Sequence, residues 1–299
     1  MKPNSKTRRF SRNPLFTNHI PSLTNSAIPI GIAAALASPL FLPAASAASV
    51  TLNASNTAGT SSFASSTSWS NAAAPSAGND YFVTTARTLR TVADSGSATF
   101  AGGSLTLGDN TTAGILILKN QASGAVVTIN NLTLNNGEIQ AGGTSSGAAN
   151  TTTIAGSGIT LANSTAANRL NTGATGRGII VSAPISGTGA LSIISAGTAT
   201  LTGANTYTGT TTITSSTLSI GNGGTTGSLS TSSSIVNNGA LIFNRSNAIT
   251  QGTDFGTITS GTGTVTATGA GTLTLNTANT YSGNTIIGVS AGAGVVRAT

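Results

Sequence analysis

Apolar residues recur along this chain in short runs, and within most runs they alternate with Thr, Ser or Asn. Ser104-Leu-Thr-Leu107, Leu132-Thr-Leu134, Ile159-Thr-Leu161, Thr217-Leu-Ser-Ile220 and Thr272-Leu-Thr-Leu275 show the pattern. A period of two places alternate side chains on opposite faces of an extended strand, so each run reads as a short β-strand with one apolar face. Further runs fall at 50–53, 81–83, 114–118, 126–129, 178–181, 190–193, 198–201, 240–243, 264–266 and 285–287. The separators Asn135-Asn-Gly137, Asn222-Gly-Gly224 and Asn237-Asn-Gly239 supply residues that tolerate the positive φ of a turn.

A long-range regularity overlies the short one. Ser186–Ile213 aligns to Ser260–Ile287 at one constant shift and without a gap, with sixteen of 28 positions identical. The two copies share Ser-Gly-Thr-Gly at 186–189 and 260–263, and Ala-Asn-Thr-Tyr at 204–207 and 278–281. Two all-β architectures fit: an antiparallel sandwich, or a β-helix whose chain winds into stacked parallel coils. The repeat favours the β-helix, because coils stack like on like and each copy then takes the same geometric slot. Stacking also accounts for the wealth of Asn and Thr, which form hydrogen-bonded ladders when they lie above one another. At roughly 20 residues per coil, the repeat spans three to four coils. Residues 48–299 then make about a dozen coils, a rod of roughly 60 Å.

Composition supports strands and narrows the function. There are 38 Gly, 6% charged residues and 4% aromatics, unlike helical proteins, which favour Leu, Glu, Lys and Ala. Disordered chains combine low hydrophobicity with high charge, and this chain is the reverse. Its formal charge of +7 is concentrated at the start, where Lys2, Lys6, Arg8, Arg9 and Arg12 precede any acid. Behind them come the apolar run 28–42 and Ala45-Ser-Ala47, the arrangement of a cleavable export signal over 1–47. The run is too short, and too broken by Pro29 and Pro39, to span a membrane. The twin arginines Arg8-Arg9 are followed too early by Phe10 for a good twin-arginine signal. Seven basic and five acidic residues remain after position 47, a net charge of +2, so nucleic acid is not expected as a partner. Without cysteine, stability rests on backbone ladders and packing. Trp69, alone in a Ser/Ala-rich passage, is placed to cover the open end of the stack.

The run Ser-Gly-Thr-Gly, Ala-Gly-Thr-x-Thr-Leu and Ala-Asn-Thr-Tyr-[Thr/Ser]-Gly-x-Thr resembles the autotransporter-associated β-strand repeat of secreted bacterial surface proteins. Ile220–Leu229 and Asn237–Asn244 look like the coils that link its copies. The resemblance covers about 186–287, while 48–180 shares the style without the motif. It implies an all-β, right-handed parallel β-helix exported to the cell surface or outer membrane. It further implies a structural or adhesive passenger whose repeat promotes secretion, not a catalyst. The implied partners are cell-surface glycans or other surface proteins, and an outer-membrane β-barrel translocator outside this chain. Family members often end in such a barrel or in a sorting tail, and residues 288–299 show neither. The expected organisation is a signal peptide (1–47), N-terminal coils with a cap (48–180) and repeat-bearing coils (181–299).

The remaining question is catalysis. The sole histidine, His19, lies in the leader, so Ser-His-Asp, Cys-His and histidine-zinc chemistry are not expected of the exported chain. Lys119 is the one lysine after the leader that could serve as a base for Ser or Thr. The alternative reading is a carbohydrate-binding or polysaccharide-cleaving β-helix, which needs clustered carboxylates. Asp80, Asp94 and Asp109, at nearly even spacing somewhat short of a typical coil, are the candidates, and each also suits a turn. Glu138 and Asp254 stand isolated in the sequence. Tyr207 and Tyr281 either form an aromatic stripe for sugars or pack over the corners of their coils, and the repeat's fixed motif favours packing. Gly187-Thr-Gly189 and Gly261-Thr-Gly263 lack a following Lys and read as turns. No catalytic residue, cofactor or metal site is assigned.

Overall fold

A computed structural model of the chain describes residues 46–299 except 58, 93–95, 120–123, 143–149, 163–165, 289–295 and 299. The basic leader with His19 therefore lies outside the described residues, and so does Asp94. Of the described residues none is helical, and every pairing between named strands is parallel. The chain winds as a β-solenoid with three faces.

The first face stacks Ala48–Thr51, Asn79–Val83, Ser104–Leu107, Leu132–Leu134, Ile159–Leu161 and Ile185–Gly187. The second runs from Thr88–Arg90 through Gly114–Leu118, Gly137–Ala141, Asn168–Asn171 and Leu191–Ile194 to Ile258–Ser260. The third runs from Ala98–Thr99 through Val126–Thr128, Thr151–Ala155, Gly178–Val181 and Thr198–Leu201 to Thr264–Ala267 and Thr285–Ile287. Two long strands, Thr211–Ile220 and Ile235–Phe243, bend around the corner between the second and third faces and join them into one sheet. Ile249–Thr250, Leu273–Leu275 and Val296–Ala298 pair with one another and follow third-face strands in chain order, which is the place of the first face.

Period-two patterning places the core. On the first face Val50, Tyr81, Leu105, Leu132, Ile159 and Ile185 stand in register. On the third, Val127, Ile154, Val181, Leu201, Ile220, Phe243, Ala267 and Ile287 form one column. All but the last of these are buried. A buried Leu or Ile contributes roughly 1.5–3 kcal/mol of transfer free energy, which columns of this length multiply.

Trp69 is buried. The loop after the first strand folds over the first full turn, where Trp69 packs edge-on to Tyr81 at 4.9 Å and Phe63 lies 5.3 Å from Phe100. The indole Nε1 donates to the Ser62 carbonyl, so burying the ring leaves no donor unpaired. Asn56 Oδ1 accepts from Arg90 N, and Ser55 Oγ accepts from Thr88 N, which satisfies the edge of the first second-face strand.

Four expectations need correction. First, the third face holds nine strands, so the solenoid has about eight turns and a length of about 40 Å. The step between turns stays near the expected coil length at the repeats, as from Leu191 to Thr211 and from Val265 to Thr285. Elsewhere loops lengthen it, equally and most between Ala48 and its partner Asn79 and between Glu138 and its partner Arg169. Second, the two copies do not occupy the same slot. Three turns carry Leu191 through Thr211 and Ile235 to Ile258, all on the second face, and the short stretch that remains brings the chain to Val265 on the third. Since Leu191 and Val265 are equivalent, the second copy is rotated by one face. Third, Asn237-Asn-Gly239 is no turn but lies inside the strand Ile235–Phe243. Asn237 points inward and is fully buried, its Nδ2 bonding Thr264 O and its Oδ1 accepting from Gly239 N. Fourth, the buried asparagines bond mainly to backbone between turns and not to one another. Asn168 Oδ1 takes the amides of Asn136 and Gly137, and its Nδ2 reaches Ala162 O and Ala190 O.

Candidate functional site

The repeated motif is built the same way in both copies. The first glycine of Ser-Gly-Thr-Gly has φ of +103° at Gly187 and +116° at Gly261. A Cβ there would strike Leu161 O or Asn237 O of the turn before, so only glycine fits. The amide of Thr206 donates to Ile185 O, and that of Thr280 to Ile258 O. Asn205 Oδ1 accepts from Ile185 N, and Asn279 Oδ1 accepts from Ile258 N. In the first copy Asn205 Nδ2 also donates to Ser228 O on the following turn, which makes this side chain a strut across three turns. It is more than the turn-former read from the sequence.

Tyr207 is fully buried inside the solenoid rather than over its corner. Its hydroxyl shares a hydrogen bond with Thr211 Oγ1 at 2.7 Å; Thr211 Oγ1 meets Ser233 Oγ at 2.9 Å, and Ser233 donates to Gly209 O. Burial pushes the phenol up to about 12. That placement excludes Tyr207 from an aromatic stripe for sugars. Tyr281 packs on the core only in part, with its hydroxyl 2.5 Å from Thr285 Oγ1.

The carboxylates do not assemble. Asp80, the second residue of its strand, stands in register with Ser104, whose hydroxyl it accepts at 2.6 Å. Asp109 lies just past Leu107, at the other end of the same pair of strands, a separation along the strand of ~16 Å. Asp109 closes its own turn, accepting from Thr111 N, Thr112 N and both hydroxyls. The Thr112 hydroxyl and amide foremost hold its carboxyl down at about 2. Paired glycosidase carboxylates stand roughly 5–9.5 Å apart, a spacing these two do not offer. Among the described residues no cluster of three or more His, Cys, Asp or Glu gathers. Lys119 is buried at the end of Gly114–Leu118, out of a substrate's reach.

Glu138 and Asp254, isolated in the sequence, both have partners in space. Glu138 sits in register with Arg169 one turn on, at 3.5 Å, and accepts from Asn171 Nδ2. Asp254 meets Arg245 at 2.8 Å and accepts from Thr250 N, while Arg245 also donates to Gly227 O and Asn247 Oδ1. The short strand Ile249–Thr250 and its flanking loops separate Arg245 from Asp254 in the chain, and no sequence rule pairs charges at that distance. This pair walls a hollow of about 290 Å³ with Thr202, Thr225, Thr226 and Ser228. A second hollow, about 300 Å³, lies on the outside of the third face over Thr151, Ile180, Thr198 and Thr200, between Arg177 and Asn222. Hydroxyls and short aliphatic chains line both, with the ion pair in the first. They can hydrogen-bond a polar surface, and no acid–base pair suited to catalysis stands in them.

With this geometry in view, the comparisons with known proteins are consistent. The passenger-associated-transport-repeat family model matches two stretches, 194–220 and 265–293, which overlap the two copies. The chain therefore carries two copies of the repeat that the motif resembled. Neither the curated proteins nor the solved structures contain a match. Repeat and β-solenoid together fit a passenger segment of an autotransporter.

Proposed function

We propose that the chain is an exported bacterial passenger segment, a scaffold or adhesive stalk displayed at the cell surface or outer membrane, and not an enzyme. The observation that carries this reading is that the described residues of both matched repeats fold as nearly uncharged coils of one continuous parallel solenoid. Such a rod needs neither disulfide nor metal. Each turn pairs with the one before, so it can assemble stepwise after passing a narrow translocator as an unfolded chain. In this reading residues 1–47 are the removable signal, and the winding is right-handed, the sense that crossovers between parallel strands take. An outer-membrane β-barrel outside this sequence is the expected partner.

The test is expression of the full chain, fused at its C-terminus to an outer-membrane β-barrel translocator, in a Gram-negative host. The reading expects a mature N-terminus near Ala48, and digestion by protease added to intact cells. An uncleaved chain retained in the cytoplasm would overturn it. A second reading, neutral-glycan binding, draws on the hydroxyl-lined hollow beside Arg245 and Asp254. A glycan array decides it: binding weakened by Thr225→Val and Thr226→Val supports the hollow, while no retained glycan leaves the scaffold reading alone.

A further inference from the structure

The two hollows on the outside of the solenoid are joined. Thr198, Thr200 and Thr202 form an outward row along the strand Thr198–Leu201 and just past it, while Ala199 and Leu201 between them are buried. Thr198 and Thr200 line the hollow beside Arg177, and Thr202 lines the hollow beside Arg245. The loop 221–227 borders both, with Asn222 at the one and Thr225 and Thr226 at the other. The ends of the row stand ~13 Å apart along the extended chain. The hollow beside Arg177 opens where Gly178 lies in register between Thr151 and Thr198 and carries no side chain to fill the space. The hydroxyls of Thr151, Thr198, Thr200, Thr225 and Thr226 engage no other described residue, so they are open to a ligand.

The other end of the row is polarised. The Arg245 side chain is nine-tenths buried, with Nε donating to Asn247 Oδ1 and Nη1 to Gly227 O and Asp254 Oδ1. These bonds fix the guanidinium and leave the Nη2 hydrogens without an acceptor among the described residues. The Asp254 carboxylate beside it accepts from Thr250 N and has lone pairs left over. A donor and an acceptor side by side, with no net charge between them, match two adjacent sugar hydroxyls, one accepting and one donating. The hollows, about 290 and about 300 Å³, lie at the small end of ligand sites, so each suits a single ring.

We propose that the two hollows and the threonine row between them are one extended site for a linear, uncharged polysaccharide with vicinal diols. One ring engages Arg245 and Asp254, and a later ring of the same chain lies over Gly178 among Thr151, Thr198 and Thr200. The proposal rests on the glycan-binding reading above and extends it from a single hollow to a polymer that fills both. Display at the cell surface is not required for it.

Titration calorimetry of the purified chain with linear glucans and mannans, from monosaccharide to polymer, tests it. Oligomers long enough to reach both hollows should bind about tenfold or more tighter than the monosaccharide, because the second contact is then intramolecular. Thr151→Val combined with Thr200→Val should bring the oligomer down to the affinity of the monosaccharide. Valine is a good strand former, and circular dichroism checks that the fold is kept. Periodate treatment of the sugar, which cleaves vicinal diols, should abolish binding. Affinity that does not rise with length, or a gain that survives Thr151→Val and Thr200→Val, overturns the extended site and leaves the single-hollow reading standing. Binding indifferent to periodate overturns the diol contact at Arg245 and Asp254, and with it the proposal. Binding of no oligomer overturns both the extended site and the glycan reading.

Discussion

Residues 186–213 and 260–287 share sixteen of 28 positions, yet the last strand of the first copy is buried and that of the second is exposed. Tyr207, Thr211 and Ile213 are completely buried, while Tyr281 is half-buried and Thr285 and Ile287 are exposed. Local geometry is the same in both, down to the glycine φ and the asparagine caps. The motif therefore encodes how a turn lies on the one before it. How much that turn stabilises depends on what lies after it. In a stacked array stability is the sum of a unit's own terms and its two interfaces. Among the described residues the second copy is paired on its following side only along Leu273–Leu275, with Val296–Ala298.

The comparison can be broken by mutating equivalent positions. The largest contrast should come from the rings. Tyr207→Ala, which empties a buried site, is expected to cost about 3–5 kcal/mol by urea denaturation. Tyr281→Ala, with its ring partly in water, should cost about 1 kcal/mol or less, and equal losses would refute the difference between interior and edge. The glycines should behave differently, since both face the preceding turn. Gly187→Ala and Gly261→Ala each force a positive φ and a carbonyl clash, and each should cost about 2–3 kcal/mol. If only the interior one matters, the motif does not act through its preceding interface.

A smaller effect separates the asparagines. Asn205→Ala orphans the amide of Ile185 and the carbonyl of Ser228, at a cost of about 1–3 kcal/mol. Asn279→Ala breaks no bond to a following turn; it orphans the amide of Ile258 and removes two bonds to the buried Gln251, and should be read first as faster hydrogen exchange at Ile258 and Gln251. The smallest effect belongs to one hydroxyl. Tyr207→Phe should cost about 1 kcal/mol at neutral pH. It should also remove a pH dependence. Folded Tyr207 keeps its proton up to about 12 while the unfolded phenol loses its own near 10, so stability falls as pH rises through that window. Wild type should show this alkaline loss, and Tyr207→Phe should lack it.

The acidic positions show where sequence distance misleads. Asp80 and Asp109 look like neighbours on successive coils, yet register puts them at opposite ends of one strand pair, each engaged by local hydroxyls. Glu138 and Asp254 look solitary, yet stacking brings Arg169 to the first and the excursion through the strand Ile249–Thr250 brings Arg245 to the second. Several strands were also invisible. Thr88–Arg90 and Asn168–Asn171 each carry one apolar residue, too few to show a period, and are extended because the turns on either side pair with them.

By itself the sequence determined what a single strand needs: which residues alternate inward, where glycine must sit, and that the chain stacks in parallel units with a transport repeat among them. Those properties depend on neighbours within a few residues, or on identity between copies. Tertiary structure alone decided the number of turns, the rotation of the second copy by one face, the burial of Tyr207 against the exposure of Ile287, and the ion pair at the hollow. Each of these depends on the lengths of the loops that close the turns. Loop length is set by residues that carry no periodic signal, and it accumulates along the stack until two copies of one motif stand on different faces.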